Sequence, residues 1–332
     1  MRLARHAAAS LCAFALCLGA LFAPTAHAQA YPAKGLRIIV PTPPGGPGDV
    51  VARGLAQALS SALGQPVIVE NRVGGDGMIA AEACVRAAPD GYTICVIDGY
   101  TMVLNPAVRA KMPYDASRDL TPIVHLGALP AGILVNSSVK ANSLRELFEL
   151  AKASPGKVTW GSFGLASSSY LYIEWLKNAR DISFYNVPYK AAIQAFQALL
   201  SGEVEVVVFA TGPALPHIKT GRIKAIAVNT ASRLGYLPEV PTIAESGLEI
   251  SVVTWFGLYA PAGLPKAIVH RLNAETTARY LNDPTYRDKF LKPTGIELQR
   301  PAGESPEAFA EFMKAEGEMY TDLVKVAKIR IE

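Results

Sequence analysis

A chain of 332 residues with 50% apolar side chains has material for one large or two ordinary domains with a substantial core. Charged residues make up only 18%, the formal net charge is +4, and no lysine or arginine run is long enough to track a phosphate backbone. The composition is that of a globular chain and argues against nucleic acid as a partner.

The chain opens with Arg2 and Arg5, an apolar stretch from Ala7 to Ala23, and then Ala26-His27-Ala28, the small-x-small pattern that signal peptidase cuts. Residues 1–28 read as a secretory signal and the mature protein as periplasmic. A retained anchor needs about 20 apolar residues, and Pro24 together with the cut pattern argues against one. No later segment is long and apolar enough to span a membrane. Cleavage removes Cys12 and Cys17 and leaves Cys84 and Cys95 in an oxidising compartment.

Residues 36–40 then read as a strand, 41–49 as a Gly/Pro loop, and Val51, Leu55, Ala58, Leu59 and Ala62 fall at helical spacing with Gly64 as the stop. In a strand–loop–helix unit the loop N–H groups and the positive end of the helix dipole converge, which suits an anion without any charged side chain. Pro44, Gly45, Gly46 and Asp49 are candidate ligand residues on that ground, and Asp49 has the alternative role of helix N-cap. The Gly-Lys-Ser/Thr of a P-loop and the Gly-x-Gly-x-x-Gly of a Rossmann loop are both absent. A second strand at 67–70, the glycine-rich loop Asn71-Arg72-Val73-Gly74-Gly75-Asp76-Gly77, a helix at 78–88 and a third strand at 92–97 follow. That loop either flanks the same cleft or is only a turn. Cys84 and Cys95 stand on either side of Pro89-Asp90-Gly91, a spacing open both to a disulfide and to two packed thiols.

A second series starts with a strand at 132–136 and the capping box Ser143-Leu144-Arg145-Glu146, whose helix buries Leu144, Leu147, Phe148 and Ala151. Val158-Thr159-Trp160 leads into a small-residue loop holding Ser162, Gly164, Ser167, Ser168 and Ser169, and a helix follows from Tyr170. This repeats the strand, loop and helix start of the first unit, so Ser162, Gly164, Ser167 and Ser168 join the ligand candidates. Elements at 184–187, 192–200, 204–209 and 223–228 continue the alternation, which predicts parallel sheets with crossover helices. The chain returns through Trp255-Phe256-Gly257-Leu258-Tyr259, and the tail is helical over 265–281 and again from Ser305 with Pro306 at the first helical position. Two lobes, each with one Gly/Ser loop at a helix start, make the cleft between them the expected ligand site.

Reactive constellations are not found. The mature chain has His125, His217 and His270, no pair of them at metal-ligand spacing, and Gly161-Ser162-Phe163-Gly164 has its glycines at the wrong offset for a nucleophile elbow. The expectation is a binding protein with no catalytic residue, no metal and no cofactor.

These residues give the chain a resemblance to the substrate-binding proteins of tripartite tricarboxylate transporters, the Bug family. It is carried by Tyr31-Pro32, Pro44-Gly45-Gly46 with Asp49, Asn71-Arg72 before Gly74 and Gly77, Pro89-Asp90-Gly91-Tyr92-Thr93, Pro188-Tyr189-Lys190, Pro241-Thr242 with Glu245 and Gly247, and Trp255 with Ala260-Pro261-Ala262-Gly263 and Pro265. The resemblance implies an α/β type II periplasmic-binding-protein fold with lobe 1 at 29–128 and 253–332 and lobe 2 at 129–252. It implies that the two loops hold a small organic carboxylate mainly through backbone N–H groups, with Tyr189 beside them, and that a loaded monomer serves membrane permease subunits. An orphan periplasmic sensor presenting the same ligand to a signalling receptor would share this sequence. The chain departs from the family pattern at Thr42-Pro43-Pro44, at Ala191 and at Tyr170.

Overall fold

The computed structural model describes residues 31–331; the expected signal peptide and its cut lie outside them. Ten strands form two five-stranded sheets among the described residues. In chain order the first group is β1 (Leu36–Val40), α1 (Pro47–Leu63), β2 (Val67–Asn71), α2 (Met78–Val85), β3 (Thr93–Asp98) and β4 (Leu120–Leu129). The second is β5 (Ala131–Asn136), α3 (Leu144–Ala153), β6 (Thr159–Phe163), α4 (Ser168–Arg180), β7 (Tyr185–Tyr189), α5 (Ala192–Ser201), β8 (Val206–Ala210), α6 (Thr211–Lys219) and β9 (Ile223–Val228). The chain then returns through β10 (Thr254–Pro261), α7 (Lys266–Thr276) and α8 (Pro306–Ala327).

The first sheet has the order β2-β1-β3-β10-β4 and the second β7-β6-β8-β5-β9. β1 runs parallel to β2 and β3, and β6 parallel to β7 and β8, as crossover helices require. Here the expectation of parallel sheets is corrected, because both sheets are mixed. β10 lies antiparallel to β3 and β4, and β5 antiparallel to β8 and β9. Each of those reversed strands enters its sheet directly from the other one, with no crossover helix to fix a parallel direction. Pro130 alone separates β4 from β5, and residues 229–253 carry the second passage from β9 to β10.

Local chemistry accounts for the elements that position the loops. β1 is apolar apart from Arg37, and Ile38, Ile39 and Val40 are fully buried because helices cover both faces of the sheet. α1 starts with Pro47 at its first position and stops at Gly64, whose φ of 64° suits a residue without a Cβ. The Ser143 hydroxyl caps α3 by accepting from the Glu146 N–H at 3.2 Å, and the Glu146 carboxylate reaches back to the Asn142 N–H at 2.7 Å. α8 begins at the Ser305 cap and buries Phe309 and Tyr320 completely. It packs on β4 and on α4, so one helix touches both lobes. Cys84 and Cys95 form a disulfide with Cα atoms 6.2 Å apart, which settles the open alternative and ties α2 to β3.

Three elements escaped the sequence reading for identifiable reasons. β4 contains Pro122 and a Gly127 at φ 123°, a pattern that an edge strand tolerates and a central one does not. α6 carries Pro213 and Pro216, and the helical turns after β3 run into Pro106.

Candidate functional site

The parallel strands place Val40, Asn71 and Asp98 on one edge of the first sheet, and Phe163, Tyr189 and Ala210 on one edge of the second. Loops beyond the carboxyl ends of parallel strands are where open α/β sheets bind ligands.

In the first loop Gly45 has φ 81°, and Gly46 is the N-cap of α1 at φ −70° with no side-chain cap bond. Both of their N–H groups have partners inside the chain. Gly45 donates to Asp49 Oδ2 at 2.9 Å and Gly46 to the Pro43 carbonyl at 3.0 Å. The donors left unused in the first turn of α1 are the amides of Gly48 and Asp49, which find no acceptor among the described residues. Asp49 is 2% exposed and does not cap the helix. Its Oδ2 also accepts from Arg53 Nε at 2.8 Å and its Oδ1 from Asn71 Nδ2 at 2.7 Å. Burial raises the Asp49 pKa, but the hydrogen bonds from Arg53, Asn71 and Gly45 outweigh it and hold the carboxyl below its ordinary value. Asn71 in turn donates to the Thr42 carbonyl at 2.8 Å. Asp49 therefore braces the Pro/Gly loop from inside, and Pro44 stands exposed at its tip.

The second loop leaves more donors unused. Ser167 caps α4, accepting from the Tyr170 N–H at 3.3 Å and donating to the Gly164 carbonyl at 2.8 Å. Ser169 donates to the Gly161 carbonyl at 2.8 Å and accepts from Trp160 Nε1 at 2.9 Å, which pins the helix start to β6. None of the main-chain N–H groups of residues 164–169 has an acceptor among the described residues. A run of amides at the positive end of a 13-residue helix is an anion site in chemical terms. Ser162 is buried at the end of β6.

The two edges touch. Gly164 has φ 78°, and a Cβ there would stand 2.9 Å from Oδ1 of Asp76 in the Gly74–Gly77 loop. The Tyr100 side chain, beyond β3, lies beside Ser168 at the start of α4. Burial drives the Tyr100 phenol far above its usual pKa, so that contact is between neutral groups at any physiological pH. Asp76 itself pairs with Arg109, and its carbonyl accepts from Asn105 Nδ2 at 2.8 Å and Thr101 Oγ1 at 3.3 Å. Beneath Tyr100 the Asp98 carboxylate accepts from the Thr101 N–H and hydroxyl, each at 3.0 Å, while burial pushes its pKa up.

The structure thus brings Gly164 and Ser168 to the junction with the first sheet, and gives Gly45, Gly46, Asp49 and Ser167 defined work in holding the loops. Tyr189 is engaged elsewhere. Its hydroxyl donates to Glu203 at 2.7 Å, and burial, then the Glu203 carboxylate, push the phenol up to about 12. Asp76, Tyr100 and Arg109 were not singled out from the sequence. The available signal was the same strand-then-glycine pattern, with Gly99 after β3 and three glycines around Asp76.

The family model described as the tripartite tricarboxylate transporter family receptor matches residues 51–324. The periplasmic binding protein BugD superposes with a TM-score of 0.80 at 30% identity, over 91% of this chain and 100% of its own. Rpa4515 of Rhodopseudomonas palustris, solved with adipate, gives 0.81 at 30% identity over 90% and 99%. MatC from the same organism, solved with bound malate, gives 0.78 at 30% identity over 89% and 100%. The chain belongs to the tripartite tricarboxylate transporter receptor family.

Proposed function

We propose that this protein is a monomeric periplasmic solute-binding protein that captures a small organic carboxylate between its two sheets and delivers it to the permease subunits of a tripartite transporter. The observation that carries the reading is the row of unused main-chain amides at 164–169, set where the second sheet meets the first. Hydrogen bonds to a charged acceptor are worth about 1.5–3 kcal/mol each, so the amide row supplies a large share of the roughly 8 kcal/mol that micromolar capture requires. The adipate and malate held by the two Rhodopseudomonas relatives support a carboxylate here. In this reading lobe 1 comprises 29–128 and 253–332, lobe 2 comprises 129–252, and Ser162, Gly164, Ser167, Ser168 and the Pro44-Gly45-Gly46 loop with Asp49 line or brace the site, while Tyr189 reaches a ligand only by leaving Glu203.

The test is a thermal-shift screen of carboxylates, followed by calorimetry and mass spectrometry of any ligand released on denaturation. One carboxylate bound per chain is the expected result. A protein that responds to no carboxylate, or that turns one over, is not a carrier of this kind.

A further inference from the structure

Asp76 is an acidic side chain set against the 164–169 loop, whose proposed work is to hold an anion, and that work does not explain it. It sits among Gly74, Gly75 and Gly77, all at positive φ, and itself adopts φ 51°, a conformation that Asp tolerates better than most side chains. The loop around it is fixed. Its carbonyl is held by Asn105 and Thr101, and its Oδ2 by Arg109, whose side chain is 16% exposed. Its Oδ1 has no hydrogen-bond donor among the described residues. That oxygen lies against Gly164, 2.9 Å from where a Cβ would stand, at the first residue of the amide row.

An ionised carboxylate only accepts hydrogen bonds. Placed beside a bound anion, it repels a second negative group and rewards a hydrogen-bond donor. Arg109 neutralises one oxygen without covering the other, so the exposed oxygen remains an acceptor. We propose that Asp76 is a specificity-determining residue, whose Oδ1 accepts a hydrogen bond from a hydroxyl or ammonium group on the carbon beside the ligand's carboxylate. The preferred ligand is then a hydroxy- or amino-carboxylate over the same acid without that substituent. This rests on the carboxylate reading above and narrows it.

The test uses matched sets: succinate with malate and aspartate, glutarate with 2-hydroxyglutarate and glutamate, and propionate with lactate and alanine. Calorimetry compares wild type with Asp76→Asn and with Asp76→Gly, the latter restoring the residue most at ease at that φ; circular dichroism checks that each variant is folded. Wild type should bind at least one donor-bearing acid about tenfold or more tighter than its unsubstituted partner, and Asp76→Gly should erase most of that ratio while keeping the unsubstituted acid. The hydroxy and amino arms tell which donor is used. Equal affinities within every wild-type set, or a ratio unchanged in Asp76→Gly, would overturn the assignment while leaving carboxylate binding intact. Failure of wild type to bind any carboxylate would sink both readings together.

Discussion

Gly164 shows how much a single missing methyl can matter. It combines a left-handed φ with a neighbour 2.9 Å from its absent Cβ, so Gly164→Val should strain the loop and push the Asp76 loop away while the distant cores stay packed. Loss of two charge-assisted bonds predicts an affinity drop of about two to four orders of magnitude, read by calorimetry on a variant with native circular dichroism. Gly46 differs, since its φ of −70° is ordinary and the nearest atom a Cβ meets is the Pro43 carbonyl oxygen at 3.2 Å, with Thr42 Cβ at 3.5 Å. His125 sets a pH dependence. It is 2% exposed among Trp255, Phe309 and Phe312, its Nδ1 accepts from the Gly127 N–H at 3.2 Å, and burial lowers its pKa from 6.5 to about 4. Between those values the unfolded chain takes up a proton that the folded chain refuses, so stability falls as the pH falls through that window, by about 3 kcal/mol in all. His125→Asn, which keeps the acceptor, should flatten the difference in melting temperature between pH 7.5 and pH 4.5. An unchanged slope would place the acid sensitivity elsewhere. At this scale the Gly/Ser loop before α4 was legible as a run of small residues between an apolar strand and a helix start. Asp49 was not, because sequence places an acid at a helix start without showing Arg53 and Asn71 turned onto it.

At the scale of elements, strand–loop–helix units were the legible part, since β1, α1, β2 and the start of α4 announce themselves by apolar runs and stop signals. β4 and α6 were hidden because proline there is accommodated by tertiary position: at a sheet edge in one case, inside a helix in the other. The disulfide belongs to this scale. It closes a separation of 11 residues between α2 and β3, the two elements that flank the Asp76 and Tyr100 segments. In the chain-entropy model such a closure is worth roughly 3 kcal/mol. Thiol titration of denatured, unreduced mature protein should find no free cysteine, and reduction should lower the melting temperature by several degrees. Two titratable thiols would show that the bond does not form.

For the whole molecule, two α/β lobes and their loops could be expected from alternation and from the family resemblance, whereas the reversed strands could not. Periodicity reports which residues are buried, not the direction in which a strand enters its sheet, and β5 and β10 take theirs from crossing between sheets. The Asp76, Tyr100 and Ser168 junction escaped for the same reason, because it exists only once two separately coded edges are brought together. That junction also sets a tempo. In the proposed reading the chain's own groups close it, so a solute bound for the 164–169 amides waits for Asp76 and Tyr100 to part from Gly164 and Ser168. In stopped-flow mixing the observed rate should rise with solute concentration and then level off at the opening rate, and Tyr100→Phe should lift that ceiling. A rate that climbs linearly to the mixing limit would mean the door stands open.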